Sequence, residues 1–366
     1  MKTIRRLIYR EVLLAVAFVT VGFLALFFFF DFVDELGDIG RGSGGYQLTH
    51  ALAYVALMVP SHLYELLPIA VLIGTIFVMA RLAQSSEYTI LRTSGLGPWR
   101  AMRTLLVLGL VFTLLTFAAG DYAAPLADRN AQLLKARLDG RISIGQTGAW
   151  LKERQAYSTY NVNVNSLTPE GDMQNLRIFE ANARGSLVSV MQAPRAHFVE
   201  GAWILEDVER SEFSAPEGEQ AKVDRVKVPR LRWPTEITPE MVSVALLKPD
   251  KMSTIDLFQY IRHLKQNAQT SQPYEIEFWR KVFYPLSCMV MVVLALPFAY
   301  LHFRTGGITG YVFGGVLIGI SFFWLNNMFG YIGNLQNWQP WLAAAAPGLI
   351  YSALSLFAFS WLVLRR

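Results

Sequence analysis

Charge is scarce over most of this sequence, and cysteine is almost absent. Only 17% of its 366 residues are acidic or basic, against 53% hydrophobic; soluble domains carry about 25% charged residues. The single cysteine, Cys288, excludes an intrachain disulfide framework. No G-x-x-x-x-G-K-[ST], H-E-x-x-H, C-x-x-C or G-x-S-x-G run occurs, so the common phosphate-loop, zinc-protease, dithiol and serine-hydrolase signatures are all missing. The five histidines, His50, His62, His197, His263 and His302, are scattered without ligand spacing. No catalytic residue and no metal site are expected in this chain. The apolar content excludes disorder and a collagen-like fibre. A net charge of +5 does not indicate nucleic acid, because the surplus is confined to short loops.

What charge there is clusters. Of 61 charged residues, 41 lie between Pro125 and Lys281. The flanks are close to hydrocarbon and contain six runs of spanning length, at 12–30, within 51–80, and at 104–120, 282–301, 308–329 and 341–364. The first run is too long for a signal-peptide core, and Asp31, Asp34 and Glu35 follow it where small residues would mark cleavage, so it is expected to stay. Lys2, Arg5, Arg6, Arg10, Arg81, Arg92, Arg100, Arg103, Arg304, Arg365 and Arg366 all fall on one side, while the opposite side has Arg41 alone. Positive loops stay inside, which predicts cytoplasmic termini and an exterior 125–276 domain between two membrane halves, 1–124 and 277–366. Glu65 and His62 count out to the outer interface, where solvated carboxylate and imidazole are the ordinary reading. Gly310, Gly314, Gly315 and Gly319 form two small-xxx-small spacings, suited to close helix approach within the chain or between subunits.

The middle begins with a helical extension over 125–141. The period then changes to two, with runs at 160–164, 175–180, 187–192, 195–199, 203–208 and 222–228. A turn is expected at 168–172 and a hairpin at Glu200-Gly201. Short strands without intervening helices predict an antiparallel all-β sandwich or roll. A helix over 254–266, capped by Ser253, leads back to the membrane.

The loop 81–100, RLAQSSEYTILRTSGLGPWR, is the segment with most unspent content. It predicts a short helix over about 84–95, with Ser85 as cap, Glu87 in its first turn, Arg92 near its end, and Gly95, Gly97 and Pro98 stopping it. Two readings stand: an interfacial connecting helix, or a helix that docks into a separate ATPase.

At this loop the chain resembles the LptF/LptG family of lipopolysaccharide export permeases. The stretch LPIAVLIGTIFVMARLAQSSEYTILRTSGL (67–96) carries the likeness. DFVDEL (31–36), EFWRKVFYPLSCMVMVVLALPFAY (277–300) and Asn326-Asn327 with Phe329-Gly330 extend it, and 248–281 looks more like the G-type than the F-type member. The resemblance implies a bundle of six transmembrane helices with an inserted periplasmic all-β jellyroll-like domain. Its implied partners are a homologous F-type permease, a dimeric cytoplasmic ATPase holding the ATP and magnesium that this chain lacks, a single-helix anchored jellyroll protein, lipopolysaccharide and membrane lipids, with no nucleic acid. It puts the coupling glutamate on Glu87, alongside Ser85, Arg92 and Gly95. A greasy cavity would involve Phe27, Phe30, Asp31, Leu66, Phe322 and Phe323. Family members can carry lysine where Asp31 stands, so phosphate contact at the outer rim shifts to Lys135 and Arg137, with Arg41 behind. Against this transport reading stands a non-transporting scaffold that relays ATPase motion to a periplasmic partner.

Overall fold

The computed structural model describes residues 2–37, 39, 46–139, 148–168, 171–214, 222–246, 248–300 and 308–361. The chain divides into two compact units: Met1–Glu35 with Val55–Ala127 and Glu275–Arg366, and Leu36–Tyr54 with Asp128–Tyr274.

The first unit is helical. Among the described residues six helical runs are long and apolar enough to cross a bilayer: Thr3–Leu36, Leu48–Gln84, Pro98–Lys135, Gln272–Tyr300, Thr309–Leu335 and Pro340–Phe359. They are built from α1 (Lys2–Leu36), α2 (Leu48–Gln84), α4 (Pro98–Ala118), α5 (Ala124–Asp139), α8 (Gln272–Phe283), α9 (Ser287–Ala295), α10 (Ile308–Leu335) and α11 (Pro340–Phe359), with the short α3 (Glu87–Thr93) between the second and third runs. The most apolar stretch of α2 is 83% buried in the chain's own fold, against 17% for α1 and 22% for α10. So α2 is the central post, and α1 and α10 turn most of their surface outward. Two departures from regular helix have local causes. Pro285 and Pro297 lack the N–H that a helix interior needs, and each falls in a 3-10 turn, Tyr284–Leu286 and Leu296–Tyr300. A π turn, Ala119–Ala123, joins α4 to α5.

The glycines of the fifth run separate in space. A Cβ on Gly315 would stand 2.7 Å from Ile76, and one on Gly319 2.7 Å from Ile69, both on α2. At Gly310 and Gly314 a Cβ would meet nothing within 4 Å among the described residues. One small-xxx-small row is therefore closed by packing within the chain, and the other is open.

In the second unit, β1 (Ala149–Arg154), β2 (Ser158–Leu167), β3 (Met173–Asn182), β4 (Leu187–Val199), β5 (Ala202–Ser214) and β6 (Lys222–Pro234) make one antiparallel sheet in chain order. The expected all-β insert is present as a meander of hairpins. Val199 pairs with Ala202 across Glu200 (φ 49°) and Gly201 (φ 74°), the doubly left-handed turn that matches strand twist. One face of the sheet is apolar and buries Val162, Val164, Ile178, Leu205 and Trp203 together with Val242 and Leu246 around α6 (Pro239–Ala245). Trp203 is fully buried, and its indole Nε1 donates to the Ile237 carbonyl at 2.7 Å. α7 (Thr254–Gln266) starts at Ser253 as expected: Ser253 Oγ accepts from Asp256 N at 3.1 Å, and the Asp256 carboxylate accepts from Ser253 N at 3.3 Å.

The runs expected at 187–192 and 195–199 are one strand, not two. Pro194 removes a ladder donor in the middle of β4, and a central strand tolerates that only at a bulge. Here the interruption is shared with both neighbours, and the register on either side of it is unchanged. Asn175 on β3 and Asp207 on β5 both have left-handed backbone, φ 50° and 49°, and pairing skips at both. The buried positions skip with it, from Met173 to Leu176, Ala193 to Ala196 and Leu205 to Val208. A residue outside the ladder at the same level of β3, β4 and β5 makes a crease across the sheet while returning apolar side chains to the core.

Candidate functional site

Where α2, α3 and α4 meet, the short helix is clamped rather than loose. Its expected cap is corrected: Ser85 faces backward, its hydroxyl donating to the Arg81 carbonyl at 3.1 Å, and Ser86, in left-handed backbone, precedes Glu87 with no side-chain cap bond. The reason is that α2 runs on to Gln84, so Ser85 serves the end of that helix. At the other end Gly95 (φ 99°) behaves as expected. Its N–H reaches the Arg92 carbonyl at 3.1 Å and Leu96 N–H reaches Leu91 at 3.1 Å, the paired bonds of a glycine-terminated helix with an apolar contact beyond it.

Leu96 and Tyr88 are buried in the bundle core. Tyr88 meets the Tyr300 ring edge-on at 5.2 Å, and the Arg92 guanidinium stands 5.7 Å from the same ring. Arg100 donates to the Gly95 carbonyl at 3.0 Å, and Trp99 packs on Phe359 of α11 at 5.6 Å. One side of α3 is thereby fixed. The other side shows Glu87, and Ile90 is 62% exposed. Two acidic residues lie in this basic region. Glu11 is paired with Arg81 at 2.6 Å; Glu87 has no ion pair among the described residues. Between α1 and α4 a cleft of ≈ 590 Å³ is lined by Arg5, Arg100 and Arg103, with Leu96 at its edge.

The candidate cavity residues do not form one surface. Phe27 is half-buried and lies 5.0 Å from the His62 ring, while Phe30 is exposed on α1. Asp31 is engaged: its carboxylate and His62 Nε2 are 2.6 Å apart. Leu66 and Phe322 lie inside the bundle, Phe322 between Tyr284 and Tyr351, and Phe323 beside it is half-buried. In the second unit Lys135 Nζ sits 4.7 Å from the centroid of the Tyr54 ring. The Arg137 side chain and all of Arg41 lie outside the described residues.

A polar knot in the first unit was not among the expected sites. Lys281 is buried, donates to the Gly120 carbonyl in the π turn at 2.9 Å, and lies 5.7 Å from the Tyr64 ring. Its neighbour Arg280 takes Glu277 at 3.5 Å and, with the Asn326 amide oriented by its partners, gives two 2.9 Å bonds to that oxygen; Asn327 accepts another. Adjacent cations thus reach different helices, α8 to the π turn and α8 to α10. The sequence signal was present in Arg280-Lys281 at the edge of an apolar run and Asn326-Asn327 within another. A charge buried there needs a partner, because leaving it unpaired is costly.

Six apolar helical runs, an inserted antiparallel sheet and a short helix locked to one end of the bundle define a polytopic membrane protein built around packing and polar contacts between helices. The chain belongs to the lipopolysaccharide export system permease LptF/LptG family, whose model matches residues 6–362. It is similar to the lipopolysaccharide export system permease protein LptG of Escherichia coli K12, 28% identical over 339 residues, covering 92% of this chain and 90% of that one. It is also similar to LptG of Haemophilus influenzae, 23% identical over 368 residues, covering 100% and 99%. The family is a permease component of that export system.

Proposed function

We propose that this chain is the G-type permease half of an ATP-driven exporter that lifts lipopolysaccharide from the outer leaflet of the inner membrane toward a periplasmic jellyroll bridge. The observation that carries the reading is α3. A helix clamped through Tyr88 and Leu96 moves with the bundle, and its free edge offers Glu87 and Ile90 to a groove with a basic and an apolar side. Nucleotide-driven closure of a separate dimeric ATPase would drag such a helix, and the bundle would follow as a rigid body. The basic loops favour a cytoplasmic position for this end, where the Arg5, Arg100 and Arg103 cleft suits anionic headgroups. The sheet domain would then lie in the periplasm.

The outward faces of α1 and α10 are the surfaces left for a homologous F-type permease and for acyl chains, with Phe27, Phe30 and Phe323 as contacts. Leu66 and Phe322 would shape that wall from behind. Asp31, held by His62, does not serve as an anion contact on this reading, and Lys135, Arg137 and Arg41 form the cationic rim. A single-helix anchored jellyroll protein completes the assembly.

Native mass spectrometry of the tagged chain from its own host tests this directly. A complex with a second permease, two ATPase copies and bound lipopolysaccharide is the expected result. The chain alone, or with an ATPase and only phospholipid, would favour the relay scaffold. Glu87→Ala is expected to leave the chain inserted and folded but to lose ATPase retention or coupled lipid release. Full extraction by this variant would remove Glu87 from the coupling role.

A further inference from the structure

The face of the sheet turned away from its apolar core carries a polar cleft that the transport reading does not use. β2 alternates Val162 and Val164, both buried, with Asn161, Asn163 and Asn165 on the other face. Register then aligns a row across five strands: Trp150 opposite Asn163, Asn163 opposite Arg177, Arg177 opposite Gln192, and Gln192 opposite Glu209. The crease is the next level, with Asn165, Asn175, Pro194 and Asp207. Between row and crease lies a cleft of ≈ 780 Å³ lined by both sets.

Three features mark this as more than a solvated sheet face. First, Asn175 and Asp207 hold left-handed backbone on either side of Pro194, and strain of that kind persists only where the surrounding fold enforces it. Second, the side chains of Asn165, Asn175, Arg177, Gln192 and Asp207 have no hydrogen-bond or ion-pair partner among the described residues, so amide, guanidinium and carboxylate groups converge with their capacity unspent. Third, Trp150 is 52% exposed at the cleft and stacked on Phe179 at 5.8 Å and 24°, which gives a rigid apolar platform at one end of a polar floor.

We infer that this cleft binds saccharide. Amides and carboxylates in fixed array suit the vicinal hydroxyls of a sugar, each of which both donates and accepts, and an indole face suits the C–H face of the ring. The charge balance selects among sugars. Arg177 shares the lining with Asp207 and Glu209, and Glu209 is paired with Lys227 at 2.6 Å, so the floor has no cationic surplus and favours uncharged hexose-type units over phosphate. The inference rests on the lipopolysaccharide reading in that such a glycolipid would present a saccharide to the sheet domain.

The test uses the full-length protein in nanodiscs of uncharged lipid and saturation-transfer difference NMR. The probe is the lipid-free oligosaccharide released by mild acid from the host's lipopolysaccharide. Transfer to sugar-ring protons is expected with the parent protein. Affinity should fall at least tenfold in Trp150→Ala and in Gln192→Ala, and stay unchanged in Tyr157→Ala, whose ring lies outside the cleft lining. Gln192→Ala removes no ring, so it remains informative if Trp150→Ala lowers stability. No transfer with the parent protein, or parent-like affinity in both cleft variants, overturns the inference. Lipopolysaccharide retained on purification is read in parallel. Its presence without sugar transfer defeats the cleft alone, and its absence defeats the transport reading.

Discussion

Two buried polar side chains of the second unit can be read out by single substitutions, Trp203 through its partner and His263 through its burial. Trp203 fills the sheet core and donates to Ile237; Trp203→Ala should cost about 3–5 kcal/mol, seen as an earlier unfolding transition of the sheet domain by urea titration in detergent. His263 on α7 gives a pH signature. It is buried, and burial pushes its imidazole below the ordinary value, against the opposing pull of Glu153 and Glu236. The unfolded chain takes up a proton near pH 6.5 while the folded imidazole still refuses it. Stability is therefore expected to fall as pH drops below about 6.5 and to level off once the folded group also titrates. Melting temperatures measured from pH 7.5 to 5 should decline in the parent protein and decline less in His263→Gln. Equal slopes would assign the acid sensitivity to other groups.

At the scale of elements, α3 and the sheet crease make contrasting claims. α3 is short and is positioned by tertiary contacts rather than by helix propensity, since a helix of two turns is marginal alone. Tyr88→Ala removes the ring that meets Tyr300 and should uncouple the helix from the bundle even with Glu87 intact, so that ATPase is still retained but lipid release falls. Loss of ATPase retention itself would mean that Tyr88 shapes the docking edge instead. In the crease, Asn175→Val places a β-branched residue at φ 50° and should destabilise the sheet domain by about 1–3 kcal/mol. Asn175→Gly should be neutral within error, because glycine meets no steric barrier there. The same thermal melts compare the two.

For the whole molecule, the fifth helical run separates folding from assembly. Gly319→Ile drives side-chain atoms into Ile69 of the central helix and should cut the yield of folded protein. Gly314→Ile projects into open space on the same helix and should leave the monomer intact. If the open glycine row receives a second permease, Gly314→Ile will fold but lose that partner in native mass spectrometry. Retention of the partner would place the subunit contact elsewhere, with α1 as the remaining outward surface. The rim also belongs at this scale. Lys135→Glu reverses a cation that is now stacked on Tyr54 and should weaken lipopolysaccharide capture more than Arg41→Glu, measured by retained lipid per protein.

Much of this was legible before any coordinates, because one-dimensional patterns report one-dimensional constraints. Spanning length, the period-two strands, the Glu200-Gly201 turn, the Ser253 cap and the Gly95 stop all depend on residues within a few positions of each other. Errors arose where a distant contact decided. Ser85 reads as a cap until α2 extends to claim it. The runs at 187–192 and 195–199 read as two strands until pairing with β3 and β5 carries one strand through Pro194. Asp31 reads as a cavity residue until His62 meets its carboxylate. Lys281 has no assigned role until the π turn offers a carbonyl. Local sequence determined the six apolar helical runs, the all-β insert and the family. Tertiary structure decided which polar groups are already partnered and which remain available, since a charge or amide buried in an apolar setting is defined by the group that compensates it.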